Sequence, residues 1–399
     1  MDLKVLLAEE GRTDPPAFYA RLHRAGAAQA VDGAEQGFAV AVYGFEAAGQ
    51  VLKDSRFHQL DAAYLDLHNP QWRRHQALEV LRDSMFFTDG PAHDGVRQLI
   101  GRTFTARRVA AMADAVTAST HRLLDRLDEL SRGGPVDFMG EFAYLLPSSV
   151  MADALGVPQE DLAWFRPRVL AIGAILELDG ATWKNMVRAN TAARELTAYF
   201  TDLVALRRSD PRDDLISHLA ATDLSDRQLV ANLITTFNAG FVTTTHLLGN
   251  GLTMLLERPA LRVALDQGNA TSYVEEMVRF EPPVQILVRY APEAAEIEGV
   301  PCRPGEAVLV MIGAANRDPR RFTDPDAFDP ARPDPGSLSF GFGPHYCLGA
   351  ALSRLEGEIA FPALFERFPD LALAAPLSRQ PKPLILRGHD TLPVLCHGR

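Results

Sequence analysis

Cys347 closes a glycine-rich stretch, Phe340-Gly-Phe-Gly-Pro-His-Tyr-Cys347, and stands directly before a strongly helical run that begins at Leu348. Gly341 and Gly343 let the backbone bend close to something flat. The N–H groups of a helix's first turn and its dipole favour a negative sulfur, which lowers a thiol pKa and makes the thiolate a good iron ligand of tempered donor strength. A lone cysteine is ordinarily a small buried hydrophobe, and it is the setting that lifts Cys347 out of that class. A second stretch, Ala239-Gly-Phe-Val-Thr-Thr244, lies in the middle of a helix that is apolar nearly all round. Thr243 can turn its hydroxyl back to the Ala239 carbonyl, and with Gly240 alongside this weakens and opens the helix, making room for a diatomic ligand and a water. Two cation-bearing pairs complete the set: His93 and Arg97, four apart, and Glu276 and Arg279, three apart. Taken alone, each is a commonplace solvated helix face.

The order Phe340, Gly341, Gly343, His345, Cys347, Gly349 closely resembles the heme-ligating loop of the cytochrome P-450 family. Ala239 to Thr244 resembles that family's oxygen-activating motif: Ala-Gly, any residue, an acid, then Thr followed by Thr or Ser. The resemblance implies heme b ligated by Cys347, with His93, Arg97, Arg289 and His345 binding the propionates. It implies that Thr243 orients the proton-donating water, with Ala239, Gly240 and Thr244 forming the rest of the motif. Glu276 and Arg279, together with Arg332, become a structural lock that holds the heme loop. One position departs from the pattern: Val242 stands where the acid belongs and can neither carry nor relay a proton. A modified route then supplies protons, through water held by Thr243 and Thr244 or through a polar group of the substrate.

The substrate wall follows from the resemblance by region only: Met85, Phe86, Phe87, Ile172, Leu176, Val242, Val284, Ile286, Ile385 and Leu386. Helical counting back from Thr243 puts Thr235 and Ala239 on its face, and Asn238 lies one turn before Val242. An amide in so apolar a helix needs a partner, either a polar substrate group or a neighbouring backbone group.

The elements that must position these residues read as mainly α with a small β region. The implied cytochrome P-450 fold is a single domain over residues 1–399, with heme between the long central helix and the helix after Cys347. Helices are expected at Pro16–Ala25, Glu46–Lys53, Ala110–Leu130, Phe138–Leu155, Leu162–Leu178, Trp183–Arg207 and Asp214–Ala220. Ser225 caps the central helix, which Arg258-Pro259 ends. Strands are expected at Phe38–Tyr43, Val288–Tyr290 and Ala307–Ile312, a hairpin at Glu296–Pro301, and two short strands around Gly388-His-Asp390. Residues 54–87 read as irregular, a candidate lid or pocket wall.

Composition is ordinary for a globular protein, and a net charge of −11 argues against general nucleic-acid affinity. Three cysteines, Cys302, Cys347 and Cys396, form neither a metal-type pair nor a disulfide framework, which fits the cytoplasm. Residues 1–16 show neither a signal peptide nor a membrane anchor. The expected partners are a ferredoxin and its reductase, docking near Arg102, Arg107 and Arg354, and a small-molecule substrate, free or tethered to a carrier protein. The missing acid keeps a second reading open, a non-standard oxidation such as bond or ring formation or peroxide-driven chemistry. A heme protein that only binds ligand is a more distant third.

Overall fold

Residues 15–31, 37–377 and 383–397 are described by the computed structural model, so the reading of residues 1–14 as free of a leader or anchor lies outside the described residues. Helices carry most of the chain: α1 (Pro15–Ala25), then strands β1 (Ala28–Ala30) and β2 (Phe38–Val42), α2 (Phe45–Lys53), α3 (Ala62–His68), α4 (Gln76–Arg82), α5 (Gly90–Gly101) and α6 (Ala113–Ser131). Strand β3 (Val136–Asp137), α7 (Leu145–Leu155), α8 (Leu162–Ala174), α9 (Trp183–Ser209), α10 (Asp226–Leu256) and α11 (Ala270–Phe280) follow. The remainder is β4 (Ile286–Tyr290), β5 (Ala295–Ile297), β6 (Val300–Cys302), β7 (Ala307–Met311), α12 (Ala350–Arg367), β8 (Ala372–Leu373) and β9 (Pro393–Leu395). Among the described residues no helix is long and apolar enough to cross a membrane.

The central helix α10 begins where Ser225 Oγ accepts the N–H of Gln228, a cap worth about 1 kcal/mol. Its side chains are buried on nearly every face from Leu229 to Phe237 and again from Thr244 to Leu255. The main core wraps α10, drawing on α6 to α9, α11 and α12. Gly240 has a packing reason beyond loosening the helix, because a Cβ there would run into the Met151 side chain of α7. The expected local opening is absent: α10 runs unbroken through Ala239–Thr244.

The principal sheet has the order β1-β2-β7-β4, with β2 and β7 parallel and the outer pairs antiparallel. All five residues of β7, Ala-Val-Leu-Val-Met, are buried, as a central strand covered on both faces requires. Register places Arg289 of β4 opposite Val308. The β5–β6 hairpin turns through Glu298 and Gly299, both at positive φ (52° and 77°), the geometry of a tight two-residue turn.

Three sequence-based expectations are corrected. Residues 54–87 contain α3 and α4, the former started by Asp61, whose carboxylate accepts the N–H of Tyr64. The C-terminal segment forms no hairpin around Gly388. Leu386 makes a single bridge to Val284, while β9 pairs with β3 and β8, elements distant in sequence. Helix α8 also stops at Ala174, short of Leu178.

Candidate active site

The loop before α12 is built by its glycines. Gly341 and Gly343 lie at φ +73° and +72°, and a Cβ on Gly343 would sit 2.9 Å from the Leu52 carbonyl oxygen and the Lys53 Cα of α2. Only glycine fits that close approach at that φ. The N–H of Cys347 donates to the Phe340 carbonyl at 2.8 Å and closes the loop. Arg354 of α12 lies over the Phe340 ring at 4.3 Å and is ion-paired to Glu275 of α11, so it braces the loop while its side chain stays partly exposed. Arg102 and Arg107 remain exposed, and Arg102 lines a shallow surface concavity with Arg97, Gln98 and Leu348.

Cys347 retains accessible surface although it sits deep among other groups. Burial pushes its thiol up, against the opposing pull of the Gly349 and Ala350 N–H groups and of Arg97 and Arg354. Desolvation therefore outweighs the expected lowering by the helix start. Around the loop, His93 and His345 bring their rings to 4.1 Å, and Arg97 donates to the Tyr346 carbonyl. Burial lowers the His345 pKa, while its 2.9 Å contact with Asp89 works in the other direction. Asp89, in turn, would be raised by burial but is held below the usual carboxylate range by His345 and by the Gln59 N–H at 2.8 Å.

Arg289 is 4% exposed, donates to Gln59 Oε1 (3.2 Å) and the Val288 carbonyl, and forms no ion pair among the described residues. Burial lowers its pKa to about 10. A buried guanidinium without a counter-ion, beside two imidazoles, a further arginine and a thiol on a glycine turn, suits a flat iron complex bearing two carboxylates. The residues present fit heme.

Glu276, Arg279 and Arg332 meet behind the loop. Glu276 and Arg279 are fully buried and joined by two bonds of 2.7 Å. Arg279 also donates to the carbonyls of Asn316, Pro325 and Ala327, and Arg332 reaches Glu276 at 3.5 Å.

On α10, Thr243 Oγ1 donates to the Ala239 carbonyl at 3.3 Å, and Ala239, Val242 and Thr243 keep accessible surface in the middle of a mostly buried helix. Thr244 faces away: its hydroxyl donates to Ser353 Oγ of α12 at 3.0 Å, so it does not hold water beside Thr243 as expected. Thr235 is buried and donates its hydroxyl proton to the Ala231 carbonyl at 2.9 Å, which leaves its oxygen as an acceptor only. The Asn238 amide is half-buried and makes no hydrogen bond among the described residues.

Met85 is seated by its N–H, which donates to Asn232 of α10 at 2.9 Å, with Phe86 and Phe87 following in one 3-10 turn. The Glu177 carboxylate accepts the N–H groups of Leu384, Ile385 and Leu386, tying the end of α8, with Ile172 and Leu176, to the C-terminal segment. Val284 joins through its bridge to Leu386. Ile286 instead packs with Phe18, Tyr19 and Met311 in a small core at the sheet. Gln59, Asp89, Asn232 and Glu177 escaped the sequence reading; each acts on a partner remote in the chain, and no local spacing marks it.

The model of the family described as Cytochrome P-450 matches residues 39–267 and 270–387. The chain belongs to the cytochrome P-450 family. This P-450 is 35% identical to the monooxygenase PikC of Streptomyces venezuelae, over 97% of this chain and 92% of that protein. It is 38% identical to the 6-deoxyerythronolide B hydroxylase of Saccharopolyspora erythraea, over 79% of this chain and 78% of that one. Among solved structures, P450BioI in complex with a hexadec-9Z-enoic acid-ligated acyl carrier protein superposes with a TM-score of 0.89 at 31% identity, covering 97% of this chain and 99% of that one. Such a chain is a P-450 monooxygenase, and the mainly helical fold with a small sheet region is the family's.

Proposed function

We propose that this P-450 inserts one oxygen atom into a mid-sized, mostly apolar organic substrate of secondary metabolism, by hydroxylation or epoxidation. The observation that carries the reading is the convergence of His93, Arg97, His345 and the unpaired Arg289 around the glycine loop of Cys347. Heme b held by Cys347 would supply oxygen activation, its thiolate favouring O–O cleavage. The four basic side chains seat the propionates, and the Glu276–Arg279–Arg332 lock keeps the loop in place. Thr243 presents the hydroxyl that positions a proton-donating water. Asn238, with its amide unengaged by the protein, is placed to bind a polar substrate group. The relation to PikC and to 6-deoxyerythronolide B hydroxylase supports a polyketide-like substrate class, and the acyl carrier protein bound to P450BioI supports delivery on a carrier. Electrons come from a separate ferredoxin and reductase through the face of Arg102 and Arg107. The continuous main core, from Tyr64 to Cys396, supports reading the whole chain as one domain, and the three free cysteines fit a cytoplasmic protein.

The deciding test is the spectrum of the dithionite-reduced holoprotein with carbon monoxide. A strongly red-shifted Soret band that vanishes in Cys347→Ala is expected; a histidine-type band in fresh wild-type protein would overturn the ligand assignment. Val242 favours a second reading, oxidation with a modified proton supply or a non-standard outcome, because the accessible strip of α10 carries a valine at the acid position. If Val242→Asp raises coupled turnover many-fold with the native substrate, protons are not supplied by that substrate.

A further inference from the structure

Arg82, the last residue of α4, is 8% exposed, and among the described residues it makes no hydrogen bond and no ion pair; Nε and Nη1 are fully enclosed without an acceptor. Arg207, Arg279, Arg317 and Arg387 are as deeply buried, and each is paired to a carboxylate. The other buried arginine lacking an ion pair is Arg289, which belongs to the propionate cradle. The guanidinium of Arg82 lies 4.2 Å over the Phe87 ring, a poor replacement for a counter-ion. Asp61 acts on Arg82 through space, but its Oδ1 already accepts the Tyr64 N–H (2.9 Å) and the Tyr290 hydroxyl (3.1 Å) and lies beyond ion-pair reach. Burial lowers the Arg82 pKa to about 10, so the group stays cationic at neutral pH.

We propose that Arg82 binds a carboxylate at the junction of the Met85–Phe87 wall and the cofactor cradle. Resting on the functional reading above, this extends it to a group outside the four basic residues around the Cys347 loop. The carboxylate belongs either to the substrate or to a heme propionate, and the two sources separate experimentally. The ferric holoenzyme, wild type and Arg82→Gln, is titrated spectrally with tetradecanoic acid and with 1-tetradecanol, and heme transfer to apomyoglobin is timed in parallel. If the substrate is the source, the acid-over-alcohol preference falls on the order of 10- to 100-fold in Arg82→Gln while heme transfer is unchanged. If a propionate is the source, heme leaves faster by a similar factor and the preference is unchanged. A variant equal to wild type in both measurements overturns the proposal. Should Arg82→Gln not accumulate as holoenzyme, Arg82→Lys is read alone: it keeps the charge but loses the fork, so a several-fold loss in either measurement supports the site and no change in both overturns it. The wild-type carbon monoxide spectrum is recorded first. A thiolate-type band with no effect at Arg82 sinks this inference only, whereas a missing band sinks the functional reading with it.

Discussion

Glu356 offers a quantitative test of the packing between α10 and α12. The residue is 1% exposed, and neither carboxyl oxygen receives a hydrogen bond of ordinary geometry; the nearby Thr244 hydroxyl favours the ionised form, but burial outweighs it. Burial pushes the pKa from 4.5 to about 8, so the folded protein holds this proton at neutral pH. An acid raised in the folded state leaves stability intact below the unfolded value and removes it progressively as pH rises toward the folded value. With those two values the penalty is about 1 kcal/mol at pH 5 and about 3 kcal/mol at pH 7, a difference of about 2.5 kcal/mol. Glu356→Gln has nearly the same shape and no titration, so it escapes the pH-dependent loss. Unfolding entropy of about 2.1 cal/mol/K per residue over 399 residues converts 2.5 kcal/mol to about 3 °C. The Tm of Glu356→Gln minus that of wild-type holoprotein should therefore grow by about 3 °C between pH 5 and pH 7. Other titrating groups act on both proteins and cancel in the difference. Parallel Tm curves over this range would show that Glu356 is hydrated or paired, and the reasoning from its burial would fail.

Three further outcomes are expected. Arg279→Met strands the Glu276 carboxylate in the core and should cost about 3–5 kcal/mol, read as a lower unfolding midpoint in urea together with faster heme loss. Gly343→Ala forces a side chain into backbone at positive φ beside α2, so the protein should keep its far-UV circular dichroism but lose most of the thiolate-type carbon monoxide band. Thr243→Ala should leave heme content and substrate binding unchanged while product formed per NADPH drops on the order of 10-fold and hydrogen peroxide rises; unchanged coupling would remove Thr243 from proton management.

What could be read from the chain was whatever is specified over a few residues. The loop from Phe340 to Gly349 needs two glycines at positive φ and a helix start, all local. The Ser225 cap and the three-residue spacing of Glu276 and Arg279 are local too, and each appears at its expected place. Interactions that bridge distant segments left no such mark. Asp89 meets His345 across 256 positions, and Glu177 meets Leu384 to Leu386 across more than 200. The C-terminal strand illustrates the same limit: its hydrophobic pattern suits a local hairpin, but β3 and β8 supply the partners. Residues 54–87 misled in the opposite way, since α3 and α4 are each only 7 residues long and show too little periodicity to stand out.

The two adjacent threonines of α10 show how one motif serves two purposes. Successive helical positions point about 100° apart, which lets the adjacent Thr243 and Thr244 meet different neighbours. Thr243 keeps accessible surface with Ala239 and Val242, while Thr244 turns to Ser353 of α12, one turn before Glu356. The second hydroxyl therefore pins the central helix to the helix that follows Cys347 and is lost to the distal side. The middle of α10 keeps accessible surface at the Thr243 hydroxyl, the Asn238 amide and the inert Val242. A proton acceptor or donor brought by the substrate would complete that set, and an acidic one would find its counter-ion at Arg82. If the carboxylate at Arg82 is the substrate's, the absent helix acid and the unpaired arginine point to the same requirement, a substrate that carries its own polar group into an otherwise apolar site.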